Sequence, residues 1–197
     1  MATLSVLLAL ALQLTASATQ TGPLRWANGT TIRVWIDAAE APAGAAALVE
    51  RALAAWTTAI GGPVTLRRTN VRGDGDVRVR FPRSRGEFGE TIPRIDPRSG
   101  AIVAAEVIIA NDTGGDDPVT QRIVVYLTAL HELGHALGLR HTDTFADIMY
   151  RFQRPDDGER YFGAYRRRLK SPDDIGSAQA SGLSAHDLAA VRALYGR

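Results

Sequence analysis

His131-Glu-Leu-Gly-His-Ala-Leu-Gly-Leu-Arg-His141 is the stretch from which the rest of the chain can be read. On a helix, His131 and His135 stand four residues apart, so both imidazoles project from one face about 6 Å apart at their base. That separation suits two ligands on one Zn²⁺ with bonds of about 2.0 Å. Glu132 is rotated by roughly 100° from His131, beside the metal and free to take a proton from water. Gly138 lets the chain leave the helix through a backbone conformation that a side chain would oppose. The turn then delivers His141 as third ligand. Three protein ligands leave a position open, as a catalytic rather than a structural zinc requires. The chain has 4 histidines, and three of them fall inside these eleven residues around a glutamate. Surface histidines scattered on a helix would not gather in that way.

Outward from this segment, the preceding residues form its helix. Asp117 is suited to N-cap it and Pro118 to open it. Ile123, Leu127, Leu130 and Leu137 make its apolar stripe, and Gly134 falls on the same stripe. Further upstream, Thr31 to Asp37 alternates apolar and polar residues as a strand does. Ala43 to Ile60 is an amphipathic helix stopped by Gly61-Gly62-Pro63. Val64 to Arg68 and Asp76 to Phe81 are short strands, the second with Val77, Val79 and Phe81 on one face and Arg78 and Arg80 on the other. Ser84 to Gly100, rich in Gly, Pro and Arg, is expected to be a loop. Ala101 to Ala110 is a fourth strand and the expected edge of a substrate cleft, where an extended peptide would add. Residues 151 to 182 lack periodicity and are expected to be mainly loop. Ser184 to Tyr195 is a helix opened by a capping-box-like Ser184 and Asp187.

HELGHALGLRH resembles the zinc signature of the metzincin metallopeptidases, and Gly134, Leu137 and Leu139 resemble the matrixin branch. Met149 follows His141 by eight residues, the matrixin distance to the methionine turn that floors the zinc site. Leu183 to Gly196 (LSAHDLAAVRALYG) is similar to the last matrixin helix, and with WTTAIGGPVTLRR the resemblance covers most of residues 30 to 196. Thr142 stands where the astacin branch carries Glu. The resemblance implies a metzincin-type α+β fold: a twisted mixed sheet over two long helices, and a small C-terminal subdomain after Gly138 that ends in a third helix. It implies a zinc endopeptidase with Glu132 as catalytic base and His131, His135 and His141 as metal ligands. It also implies Met149 as the turn beneath the zinc and Asp187 as that turn's hydrogen-bonding support. Tyr150 has two equal readings, a wall of the pocket for the side chain after the scissile bond and a buried packing residue. His186 replaces a family aspartate that can pair with a freed amino terminus. The family's second, structural zinc needs more histidines than the one remaining, so a single catalytic Zn²⁺ is expected.

Composition sets the boundaries. The chain has 197 residues, 45% of them hydrophobic, with a net charge of +2 and no cysteine. Such a chain can build a core, and its charge gives no footing for nucleic acid. Without cysteine there is no disulfide framework, no thiolate ligand and no thiol-based latency. Leu4 to Leu14 is an apolar run of eleven residues, too short to span a bilayer, which needs about 20. With Ala16-Ser17-Ala18 after it, the run fits a secretory signal. Residues 1–18 are therefore expected to be a signal peptide and 19–197 the catalytic domain. The mature protein is expected to be extracellular or periplasmic, without stable membrane insertion, a monomer acting on a peptide or protein. Asp112, Asp116 and Asp117 offer oxygens for Ca²⁺, but a solvated loop with a helix cap explains them as well, since calcium needs six to eight placed oxygens. Residues 151 to 170 carry seven basic and three acidic side chains, by default a solvated basic loop and alternatively a segment favouring acidic substrates or anionic surfaces. The competing reading of the whole is a secreted binding module that keeps fold and metal without turnover.

Overall fold

The computed structural model describes residues 24–83, 88–112 and 117–196. The expected signal segment, 1–18, and Asp116 lie outside the described residues. The elements run β1 (Thr31–Ile36), α1 (Ala45–Ile60), β2 (Thr65–Thr69), β3 (Val77–Arg80), β4 (Gly89–Ile95), β5 (Ile102–Ile109), α2 (Pro118–Ala136), α3 (Asp157–Arg166) and α4 (Ala185–Tyr195). The sheet order is β2-β1-β3-β5-β4. The first four strands in this order pair in parallel, and β4 runs antiparallel to β5 at the edge.

Alternation decides which face of the sheet is covered. Ile32, Val34, Ile36, Val77, Val79, Val107 and Ile109 are buried. Their neighbours Arg33, Trp35, Arg78 and Arg80 point the other way, where Arg33 pairs with Asp76, Arg80 with Glu106, and Arg78 with Asp37. Helices α1 and α2 pack on the apolar face and on each other. The α2 stripe behaves as its spacing predicts: Ile123, Leu127, Leu130 and Leu137 are all buried, each worth about 1.5–3 kcal/mol on burial. Asp117 caps α2 by accepting from the Val119 and Thr120 N–H groups. Trp56 of α1 is fully buried, and its indole N–H donates to the Leu130 carbonyl at 2.8 Å, tying the two helices together. The segment before β1 lies across the end of α2. The Trp26 indole N–H reaches the Ala136 carbonyl at 2.8 Å, and the Ile102 N–H reaches the Arg25 carbonyl at 2.9 Å.

Two expectations need correction. Residues 84 to 100 are not simply a loop, because Gly89–Ile95 form β4. This edge strand tolerates Pro93, which an interior strand would not, and it shows Glu90, Ile92 and Arg94 to solvent, so its composition disguises it. Strand 101 to 110 is therefore interior, and β4 is the cleft edge. Likewise 151 to 182 contain α3, so among the described residues the last α-helix, Ala185–Tyr195, is the fourth. Gly158 and Gly163 interrupt α3's apolar spacing; Phe162 and Tyr165 are buried in the core, and the first turn is anchored by a polar group. The buried Asp157 carboxylate accepts from the Gln153 and Arg154 N–H groups, from the Tyr150 hydroxyl and from Arg160. The capping box of α4 is present as its sequence suggests.

Candidate metal centre and cleft

The last turns of α2 carry His131 and His135, and Gly138, at φ 98°, turns the chain out of the helix so that His141 swings back. The three Nε2 atoms stand 3.1, 3.1 and 3.2 Å from one another. This nearly equilateral triangle can seat one ion. With Zn–N bonds of about 2.0–2.1 Å, its edges subtend about 100° at the metal, near the tetrahedral value. The outer nitrogens are fixed as well. His131 Nδ1 donates to the Ile148 carbonyl at 2.6 Å and His135 Nδ1 to the Leu139 carbonyl at 2.9 Å. A carbonyl can only accept, so both protons sit on Nδ1 and both Nε2 lone pairs face the centre. Burial, with His135 adding to it, holds His131 down at about pKa 4. Burial also lowers His135, and burial with His135 lowers His141. All three are thus held neutral, as metal ligation requires. Among the described residues they are the group of three or more metal-binding side chains that converges.

Glu132 is 5% exposed and faces β4. Thr91 Oγ1 lies 2.7 Å from its Oε2 and 2.9 Å from its backbone carbonyl. Gly89 allows this approach: a Cβ there would fall 2.6 Å from Thr128 Cγ2 and 2.7 Å from Glu132 Cγ. Neither Gly89 nor Thr91 is apparent from sequence as a site residue, because both sit in the strand whose composition imitates a loop.

Beneath the histidines, Met149 is buried, and a Cβ on Gly134 would lie 2.4 Å from its sulfur. The peptide before it is held from both sides. The Ile148 N–H donates to Asp187 Oδ2 at 2.8 Å while the Ile148 carbonyl receives His131. Thr142 N–H to Met149 carbonyl and Arg151 N–H to Thr142 carbonyl close the turn onto the residue after His141. Asp147, 1% exposed, ties the turn to α4. Its carboxylate accepts from Thr142 Oγ1, Ser184 Oγ and His186 Nδ1 at 2.9, 2.8 and 2.6 Å. The hydrogen bond from His186 and its opposite charge hold the Asp147 carboxyl low, against the effect of burial. His186 is raised in return, chiefly by its hydrogen bond to Asp147. The partnership is illegible in sequence, since the two residues lie 39 positions apart.

A cleft of about 660 Å³ opens over the histidines. One end is aromatic, with Phe88, Tyr150, Phe152, Tyr161 and Phe162 around Leu127; Phe88 meets Phe162 edge-on at 5.0 Å. Tyr150 thus lies in the cleft wall, its hydroxyl bonded to Asp157. Of the acidic loop, Asp117 is engaged in the α2 cap and in an ion pair with Arg166.

A helix bearing two histidines, a turn returning a third and a methionine loop beneath them define a metallopeptidase framework. The matrixin family model matches residues 26–180, and the chain belongs to this family. It is 32% identical over 111 residues to matrix metalloproteinase-20 of Homo sapiens, covering 52% of this chain and 22% of that protein. It is 25% identical over 158 residues to matrilysin of Rattus norvegicus, covering 76% of this chain and 50% of that protein. The chain spans half the length or less of these curated relatives.

Proposed function

We propose that the chain is a secreted zinc endopeptidase. The observation that carries this reading is the 3.1–3.2 Å triangle of His131, His135 and His141 nitrogens with the Glu132 carboxylate one residue along the same helix. Zinc bound there supplies Lewis acidity, acidifying water and polarising a carbonyl oxygen. Glu132 takes the water proton and returns it to the leaving amine nitrogen. Thr91 holds the carboxylate toward the cleft edge. Met149 floors the site, and Asp187, through the Ile148 peptide, fixes the turn against His131. The edge of β4 that is open among the described residues receives the peptide as an added strand, and Tyr150 lines the pocket for a side chain beside the scissile bond. Secretion rests on the apolar run and small-residue site within 1–18. Among the described residues no helix is long and apolar enough to cross a membrane.

The test is Glu132→Ala. The variant is expected to keep its fold and one zinc per chain while peptide hydrolysis falls by about 10²–10⁴-fold. Zinc-loaded wild type that cleaves no member of a broad peptide library would overturn the endopeptidase reading in favour of a metal-bearing binding module.

A further inference from the structure

The cleft has two ends, and each carries an arginine. Strand β4 runs alongside α2 in the same sense: Gly89 lies against Thr128, Thr91 against Glu132, and Ile95 opposite Ile102, which neighbours Gly138. An extended peptide on the β4 edge therefore has one end over the aromatic pocket and the other over the Gly138 turn. Arg151 borders the first end and Arg140 the second, and both line the cleft. Both are exposed. Among the described residues Arg140 has no side-chain partner. Arg151 has only Asp143, at 3.7 Å, with the two side chains 63% and 78% exposed, a pair that contributes little. Its backbone is nevertheless fixed by the N–H bond to the Thr142 carbonyl, so the guanidinium leaves from a set position.

The opposing charges are accounted for. Glu132 belongs to the metal centre. Glu90 also lines the cleft, but it pairs in register with Ile108 on the solvent face of the sheet, while Thr91 pairs with buried Val107 on the helix side. The wider charge distribution agrees. Residues 151–170 hold seven basic and three acidic groups in a chain of net charge +2, so the remainder of the chain is net acidic; of those seven, Arg151 is the one that lines the cleft. With Glu132 committed to the metal centre and Glu90 on the solvent face of the sheet, Arg140 and Arg151 are the cleft charges left to attract an oppositely charged ligand.

We propose that the cleft selects acidic peptides, with Arg151 receiving a carboxylate on the aromatic-pocket side of the scissile bond and Arg140 receiving one on the other side. This rests on the endopeptidase reading and assigns its substrate class. The test uses zinc-loaded protein and fluorogenic peptides that differ only in having Asp, Asn or Lys at positions on either side of the scissile bond. In low salt, kcat/KM is expected to favour Asp over Asn by about two- to five-fold per position, as exposed ion pairs allow. The preference is expected to flatten as salt shortens the screening length. Arg140→Glu should invert the preference on its own side only, and Arg151→Glu on the other only. Equal kcat/KM for the three peptides overturns the charge assignment while leaving the peptidase intact. Preferences that survive both reversals also overturn it. Cleavage of no peptide overturns the endopeptidase reading, and this inference with it.

Discussion

Replacing Gly138 with alanine probes the turn that carries His141 back to the metal centre. Gly138 has φ 98°, and a Cβ there would fall 1.9 Å from the Leu24 carbonyl oxygen. That oxygen is backbone and cannot rotate aside. The left-handed conformation costs an alanine about 1–2 kcal/mol. Relieving the clash displaces the 24–26 segment and loosens the Trp26–Ala136 and Ile102–Arg25 hydrogen bonds, at about 1 kcal/mol each. The sum is about 3–4 kcal/mol. For a chain of this size, each kcal/mol lowers Tm by about 2–4 °C, so a fall of about 6–16 °C is expected by thermal unfolding. Gly29 is the control. Its φ is 84°, but a Cβ there meets nothing within 4 Å, so Gly29→Ala carries the conformational cost alone, about 2–8 °C. The reasoning is refuted if Gly138→Ala unfolds no earlier than Gly29→Ala, since the Leu24 contact would then contribute nothing.

Three further outcomes follow from the site. Gly89→Ala should push β4 away from Glu132 and lower kcat by about tenfold or more with zinc content unchanged, because an ångström of misplacement is costly in an active site; unchanged kcat would contradict the packing. Asp187→Ala strips the acceptor from the Ile148 and Ser184 N–H groups and should destabilise by about 2–5 kcal/mol in denaturant unfolding; a loss under about 1 kcal/mol would remove Asp187 as support of the turn. The His186–Asp147 pair gives a pH signature. His186 is raised above 6.5, so its stabilisation is present below that value and lost as pH rises through the raised one. Asp147 is lowered below 3.8, so its share is present above that value and lost on acidification through the lowered one. The Tm gap between wild type and His186→Ala should therefore be wide near about pH 5.5 and narrow near about pH 9; a gap that does not change across this range would count against the pair.

The legible parts of this chain are those whose physics is local. His131 and His135 declare themselves because helical periodicity puts four-residue neighbours on one face. Asp117 and Ser184 declare their helices because a cap needs only its own next three residues. Thr91 and Glu132 are 41 positions apart, and nothing local in either says that they meet. Strand β4 escapes because an edge strand at a solvent-facing cleft has no need of continuous apolar residues. Helix α3 escapes because a buried carboxylate, Asp157, rather than an apolar stripe organises its first turn. His186 is recognisable in sequence as a departure from the family pattern, but only the fold shows that it has a new partner in Asp147.

Among the described residues β4 is paired on one side only, and its other edge bears on colloidal behaviour. An unpaired strand is a template for any extended backbone, including that of a second copy of the same chain. Ile92 and Ile95, with Val103 beside them, are 49%, 37% and 40% exposed, which would favour sheet-to-sheet stacking. Pro93 breaks the row of amide donors at the middle of the strand, and Glu90 and Arg94 place unlike charges on its solvent face. The three together leave the edge open to a short guest peptide yet poor at propagating a ladder, so concentrated solutions should tolerate this exposed strand only while Pro93 and its charged neighbours remain.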